Sequence, residues 1–190
     1  MNKIDDYLLL EDNVRHSYMG VVWSHKIQEK QADILTNKYH YLEIIRVFCT
    51  SLTSVGLISL IFTDEFWVKI IATGISFIST LISFLFKSFD TQKSILSHKK
   101  AANELLIIRE QLRFLLLKIK LKKQDISELV NSYDDIMKRL GEVYKDAPNT
   151  TDQAVEKASE ALNVKKDNEF SDIEIDANLP ESLQRSEVKE

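Results

Sequence analysis

Two uncharged runs constrain this chain more than any other feature. Val47 to Thr63, "VFCTSLTSVGLISLIFT", carries no charge over 17 positions, and Ile70 to Phe86 carries none over another 17. A membrane-spanning helix needs roughly 17–25 mostly apolar residues, so both runs sit at the short end of that range. Arg46, Lys69 and Lys87 stand at the ends, where a long side chain can bury its stem and keep its charge in the interface. Phe66 and Trp67 stand where interfacial aromatic anchors belong. A soluble bundle with two buried helices is the other home for such runs. Helices at the edge of a soluble core keep a polar face, and neither run has one.

The link between the runs, "TDEFWVK", is short and has Asp64 and Glu65 at its tip. Its far side is basic. Residues 87–123 hold Lys87, Lys93, Lys99, Lys100, Arg109, Arg113, Lys118, Lys120, Lys122 and Lys123 against Asp90, Glu104 and Glu110. Lys and Arg stay in the cytoplasm, so both termini are expected there, with the acidic tip outside. The start, "MNKIDDYLLLEDN", lacks the basic stretch and apolar core of a signal peptide.

The expected fold is all-α: a membrane-embedded two-helix hairpin continuous with long cytoplasmic amphipathic helices, as a bundle or coiled coil. Four glycines and two prolines are too few for the frequent turns of a β or βαβ protein. The expected divisions are an N-terminal segment (1–12), a cytoplasmic helix (13–46), a first span (47–63), an external loop (64–69), a second span (70–86), a cytoplasmic helical region (87–163) and an acidic, disordered tail (164–190). That tail lacks periodicity, and Lys165 to Glu190 carries eight acidic against four basic residues.

Three apolar stripes run along the cytoplasmic helices. Tyr18, Val21, His25, Gln28, Ala32, Leu35, Tyr39 and Leu42 alternate at three and four, and no glycine or proline interrupts Val21 to Val55. One helix should therefore leave the cytoplasm and become the first span. Ile95, Ala102, Leu105, Ile108, Leu112, Leu115 and Ile119 form the second stripe. Ile126, Leu129, Tyr133, Ile136, Leu140 and Tyr144 form the third, opened by a capping-box pattern at Asp125 and Glu128. Pro148 then breaks the chain, and Thr151 or Asp152 can cap a short helix through Leu162. The stripes could pair within one chain or between chains.

No glycine cluster exists to cradle phosphates, and no H-E-x-x-H occurs. Cys49 is the single cysteine. Asp134 and Asp135 are helix neighbours, pointing about 100° apart, and do not form a carboxylate dyad. The expectation is a protein without catalytic, cofactor or metal residues. The basic face needs no nucleic acid, because no aromatic interleaving accompanies it. His25 reads as a packed, hydrogen-bonded histidine rather than a ligand.

One feature of the second span stands apart. Thr73, Ser76, Thr80 and Ser83 recur at three and four, in line with Lys69 and Lys87. These six are the candidate pore-lining or helix-packing residues. As packing, small residues let helices approach closely. As lining, they require several copies, because one hairpin cannot enclose water.

The layout resembles the SLATT group, small two-span proteins of bacterial conflict systems associated with nucleotide-cyclising and ligand-binding partners. The resemblance covers roughly residues 10 to 165. It runs through "SHKIQEKQADIL" before the first span and the two adjacent spans. It continues in "SHKKAANELLIIREQLRFLL", with His98, Ala101 and Leu105, and closes with "YKDAPNTTDQAVEKASEALN". It implies an effector that oligomerises in the bacterial inner membrane and forms a pore or disrupts the bilayer when a separate sensor is triggered. The alternative is a non-catalytic anchor or scaffold that presents coiled-coil helices to a partner.

Overall fold

The computed structural model describes residues 3–62 and 65–184. Thr63 and Asp64, at the expected tip, lie outside the described residues, as do residues 1–2 and the end of the tail, 185–190.

With no proline before Pro148, nothing forces the first helix to stop before the first uncharged run. Helix α1 runs unbroken through Lys3–Phe62, 60 residues, about 90 Å at 1.5 Å per residue. It takes in residues 3–12, so the expected N-terminal segment is the first part of this helix. Helix α2 (Phe66–Phe89) returns alongside it and contains the expected second span. Asp90, in the left-handed region at φ 41°, marks an elbow into α3 (Thr91–Leu121). Lys122, at φ 51°, ends α3, and its N–H donates to the carbonyls of Ile119 and Lys118 at 3.2 Å each.

Helix α4 (Ile126–Asp146) begins at Asp125, whose carboxylate accepts from the Ser127 N–H at 3.4 Å and the Ser127 hydroxyl at 2.7 Å. The expected cap residue is in place, with its bonds drawn from Ser127. After the Pro148 break, α5 (Asp152–Ser159) ends in a π turn over Glu160–Val164. The tail, expected without regular structure, contains α6 (Asp172–Ala177), opened by a reciprocal capping box between Ser171 and Glu174.

Cross-links between helices give the topology. The Tyr7 hydroxyl donates to the Gln124 carbonyl, and Gln28 meets His98, so α3 runs antiparallel to α1. Ser17 meets the Tyr133 hydroxyl and Ser24 the Tyr144 hydroxyl, so α4 runs parallel to α1. The three stripes therefore pair within one chain, as an antiparallel bundle. Their inner face holds Leu10, Val14 and Val21 of α1, Leu105, Ile108, Leu112, Leu115 and Ile119 of α3, and Leu129 and Leu140 of α4. Fully burying each such side chain contributes roughly 1.5–3 kcal/mol.

Beyond the bundle the pattern inverts. Among the described residues one stretch, within Phe66–Leu121, is long and apolar enough to cross a membrane, and it holds Ile70–Phe86. The other expected span, Val47–Thr63, is helical to Phe62 as the end of α1 and packs beside α2. Val47, Phe48, Val55, Phe77 and Phe84 are each more than half exposed. A patch of that extent suits contact with lipid or with other protein.

Candidate functional site

The hairpin is held by small residues. A side chain on Gly56 would bring its Cβ within 3.3 Å of the Ala72 Cβ, so the glycine permits close approach. One hydroxyl pair crosses between the helices: Thr50 and Ser79, 2.7 Å apart. Thr50 already donates to the Arg46 carbonyl, so Ser79 donates in this pair. Ile82 is the one buried side chain of α2 among the described residues. At the end of the hairpin next to the bundle, the Tyr39 and Phe86 rings stack with centroids 4.7 Å apart. The packing face of α2 thus follows Ala72, Ser79, Ile82 and Phe86.

The hydroxyl stripe lies about 100° round the helix from that face. Lys69, Thr73, Ser76 and Thr80 come together on one wall of an open crevice of about 540 Å³, with Ala72 at its base and Thr53 of α1 opposite. Ser83 and Lys87 continue the same line beyond the crevice. Ser83 is half-buried, and Lys87 is exposed. Thr53, Thr73, Thr80 and Ser83 each donate to the carbonyl four residues earlier, at 2.8–3.0 Å. Their protons are spent on the helix, so they offer oxygen lone pairs outward. The Ser76 hydroxyl has no hydrogen-bond partner among the described residues. Thr53 escaped the sequence reading, although Thr50 and Thr53 repeat the three-residue spacing in the first run.

The expected anchors lie near the ends of the two legs. Phe66 and Trp67 meet edge to face with centroids 6.0 Å apart, both largely exposed. Arg46 is held by Glu43 through Nε at 2.9 Å and through a second, shorter contact.

A second polar cluster sits in the bundle beneath the hairpin. Gln28 donates to the Pro148 carbonyl at 2.9 Å, which orients its amide and aims Oε1 at His98 Nδ1, 2.6 Å away. Oε1 can only accept, so Nδ1 carries the proton. Gln31 Oε1 accepts from the Thr151 N–H at 2.9 Å and the Thr151 hydroxyl at 2.8 Å. These bonds fasten the "PNTT" break onto α1. Lys26, buried, reaches Glu29 at 3.1 Å and Asp167 at 3.8 Å.

His25 is buried as expected, but its Nδ1 has no hydrogen-bond partner among the described residues. Burial pushes the His25 pKa down, opposed by Glu29 and reinforced by Arg109 and Lys26. Burial alone pushes His98 down. Neutral histidines therefore suit this seam. Among the described residues, no three His, Cys, Asp or Glu side chains cluster to hold a metal ion.

No curated protein and no solved structure matches the chain. One family model does, over residues 10–174, from the first part of α1 through both legs of the hairpin and the bundle into α6. That span covers most of the chain, and the chain belongs to the SMODS and SLOG-associating 2TM effector domain family 4.

Proposed function

We propose that the protein is a non-catalytic membrane effector of a bacterial conflict system, several copies of which open a weakly selective path through the inner membrane. The family supplies the coarser part, a two-span effector domain. The observation that carries the finer part is the crevice of Lys69, Thr73, Ser76 and Thr80 facing Thr53. It is a polar strip on a mostly apolar hairpin, and it lies off the face by which α2 packs on α1. In a ring of hairpins such strips would face a common lumen. Sensing would belong to a separate SMODS- or SLOG-type partner.

The scaffold reading draws on a different surface. Ile107, Phe114, Leu117 and Leu121 form an exposed apolar line on α3, on the cytoplasmic side. It suits contact with a partner or with another copy.

Dye efflux from liposomes carrying the purified protein tests the pore, with and without its partner. Efflux is expected on activation, and the pair Ser76→Leu and Thr80→Leu should abolish it without preventing insertion. An inserted, oligomeric protein that never leaks sinks the pore reading and leaves the scaffold.

A further inference from the structure

At the elbow between α2 and α3 lies a cavity of about 450 Å³, open on one side and closed on the other by α1. Its walls are apolar: Leu35 and Leu42 from α1, Leu85 and Phe86 from the end of α2. Its polar lining comes from the cytoplasmic side. Lys38 contributes an ammonium, and Thr91 and Ser94 contribute hydroxyls. None of these three has an ion-pair or side-chain hydrogen-bond partner among the described residues.

The cavity's height is set by its neighbours. Phe86 ends the uncharged run of α2 and Lys87 follows it, so Leu42, Leu85 and Phe86 lie level with acyl chains and Lys38 level with headgroups, with Leu35 about one turn beyond it. A volume of this size fits a small-molecule ligand, and basic pockets at the cytoplasmic ends of spanning helices suit acidic lipid headgroups. A free phosphate would satisfy Lys38 but leave the apolar walls facing water. A zwitterionic lipid would fill the walls but bring no net charge to Lys38.

We propose that this cavity binds one acidic phospholipid of the cytoplasmic leaflet, its phosphate on Lys38, Thr91 and Ser94 and the start of an acyl chain against Leu42 and Leu85. The lipid bridges α1 to the α2–α3 elbow. The inference rests on the membrane placement of the hairpin, not on pore formation.

The test is native mass spectrometry of the full chain released from vesicles of phosphatidylcholine mixed with phosphatidylglycerol, with insertion checked by protease protection. One phosphatidylglycerol per chain should be retained in preference to phosphatidylcholine. Lys38→Gln should reduce that preference about fivefold, the effect of one lysine near an anionic surface. Leu42→Trp, which fills the cavity and keeps Lys38, should reduce retention of either lipid. Lys99→Gln, farther along α3, should change nothing.

Equal retention of the two lipids overturns the proposal, as does an equal effect of Lys99→Gln and Lys38→Gln. Displacement of the lipid by glycerol phosphate overturns it in favour of a headgroup-only site. A chain that does not insert removes the membrane reading and this proposal with it. A chain that never leaks yet keeps the lipid preference supports it while removing the pore.

Discussion

The bundle and the hairpin are built from the same long helix by opposite rules. In the bundle, α1 turns Val14 and Val21 inward against Leu105, Leu112 and Leu129, all essentially inaccessible. In the hairpin the same helix turns Val47, Phe48 and Val55 outward and keeps Gly56 and Thr50 for its partner. The solvent explains the reversal. Water drives apolar side chains together, so the bundle coheres by hydrophobic burial. Lipid gives apolar side chains no reason to leave it, so the hairpin coheres by close approach and a shared hydroxyl bond. The bundle should therefore be the stable half, and the hairpin the half that can rearrange.

Four changes would break or sharpen that contrast. The largest effect is expected from Leu112→Ala, which opens a cavity in the bundle and should cost about 2–5 kcal/mol. Denaturant titration of the bundle's helicity in detergent reads it. Insertion of the hairpin should survive, and its loss would mean that the two halves fold as one unit.

Gly56→Leu comes next. It overfills the contact with Ala72 and should cost about 1–3 kcal/mol, all of it in the hairpin. Engineered cysteine cross-linking between α1 and α2 should fall while the bundle's denaturation midpoint stays put. Thr50→Ala removes the acceptor of the Ser79 bond and should cost only ~0.6 kcal/mol in the same assay.

The last change has no effect at neutral pH. His25 and His98 titrate below the usual histidine range when folded, because they are buried. Above about pH 6.5 both are neutral, folded or unfolded, and pH is immaterial to them. As pH falls from there toward the lowered folded values, the unfolded chain binds protons that the bundle resists, and stability drops. His98→Gln should flatten that acid slope while leaving the neutral-pH midpoint near the wild type. An unchanged slope would show that His98 contributes nothing to it.

Much of this was readable before any coordinates. Ile95, Leu105, Ile108, Leu112, Leu115 and Ile119 recur at helical spacing, and all six are buried. Leu129 and Leu140 behave likewise in α4. Periodicity identifies such faces because water penalises any other orientation. The hairpin was less legible. In a run with no charges, spacing cannot distinguish a lipid-facing side from a helix-facing side, so Ser79 and Ile82 carried no mark of their role, whereas Gly56 was legible as a small residue that lets helices approach. His25 was expected to be hydrogen-bonded, and its Nδ1 has no partner among the described residues. The tail's short helix α6 was missed because six residues are too few for a period to show, although Ser171 and Glu174 carried the capping signal.

The sequence by itself determined an all-helical chain, the apolar return leg at Ile70–Phe86, the inward faces of the bundle and the family. These follow from local composition and from periods of a few residues, which depend on no distant contact. Only the tertiary structure decided that the stripes pair within one chain and that the "PNTT" break is fastened to Gln28 and Gln31. It also turned the packing face of α2 away from the Thr73–Ser83 line and brought Lys38 beside Thr91 at the elbow. Those choices join residues 29–120 positions apart, and no local pattern encodes which distant neighbour a side chain will meet.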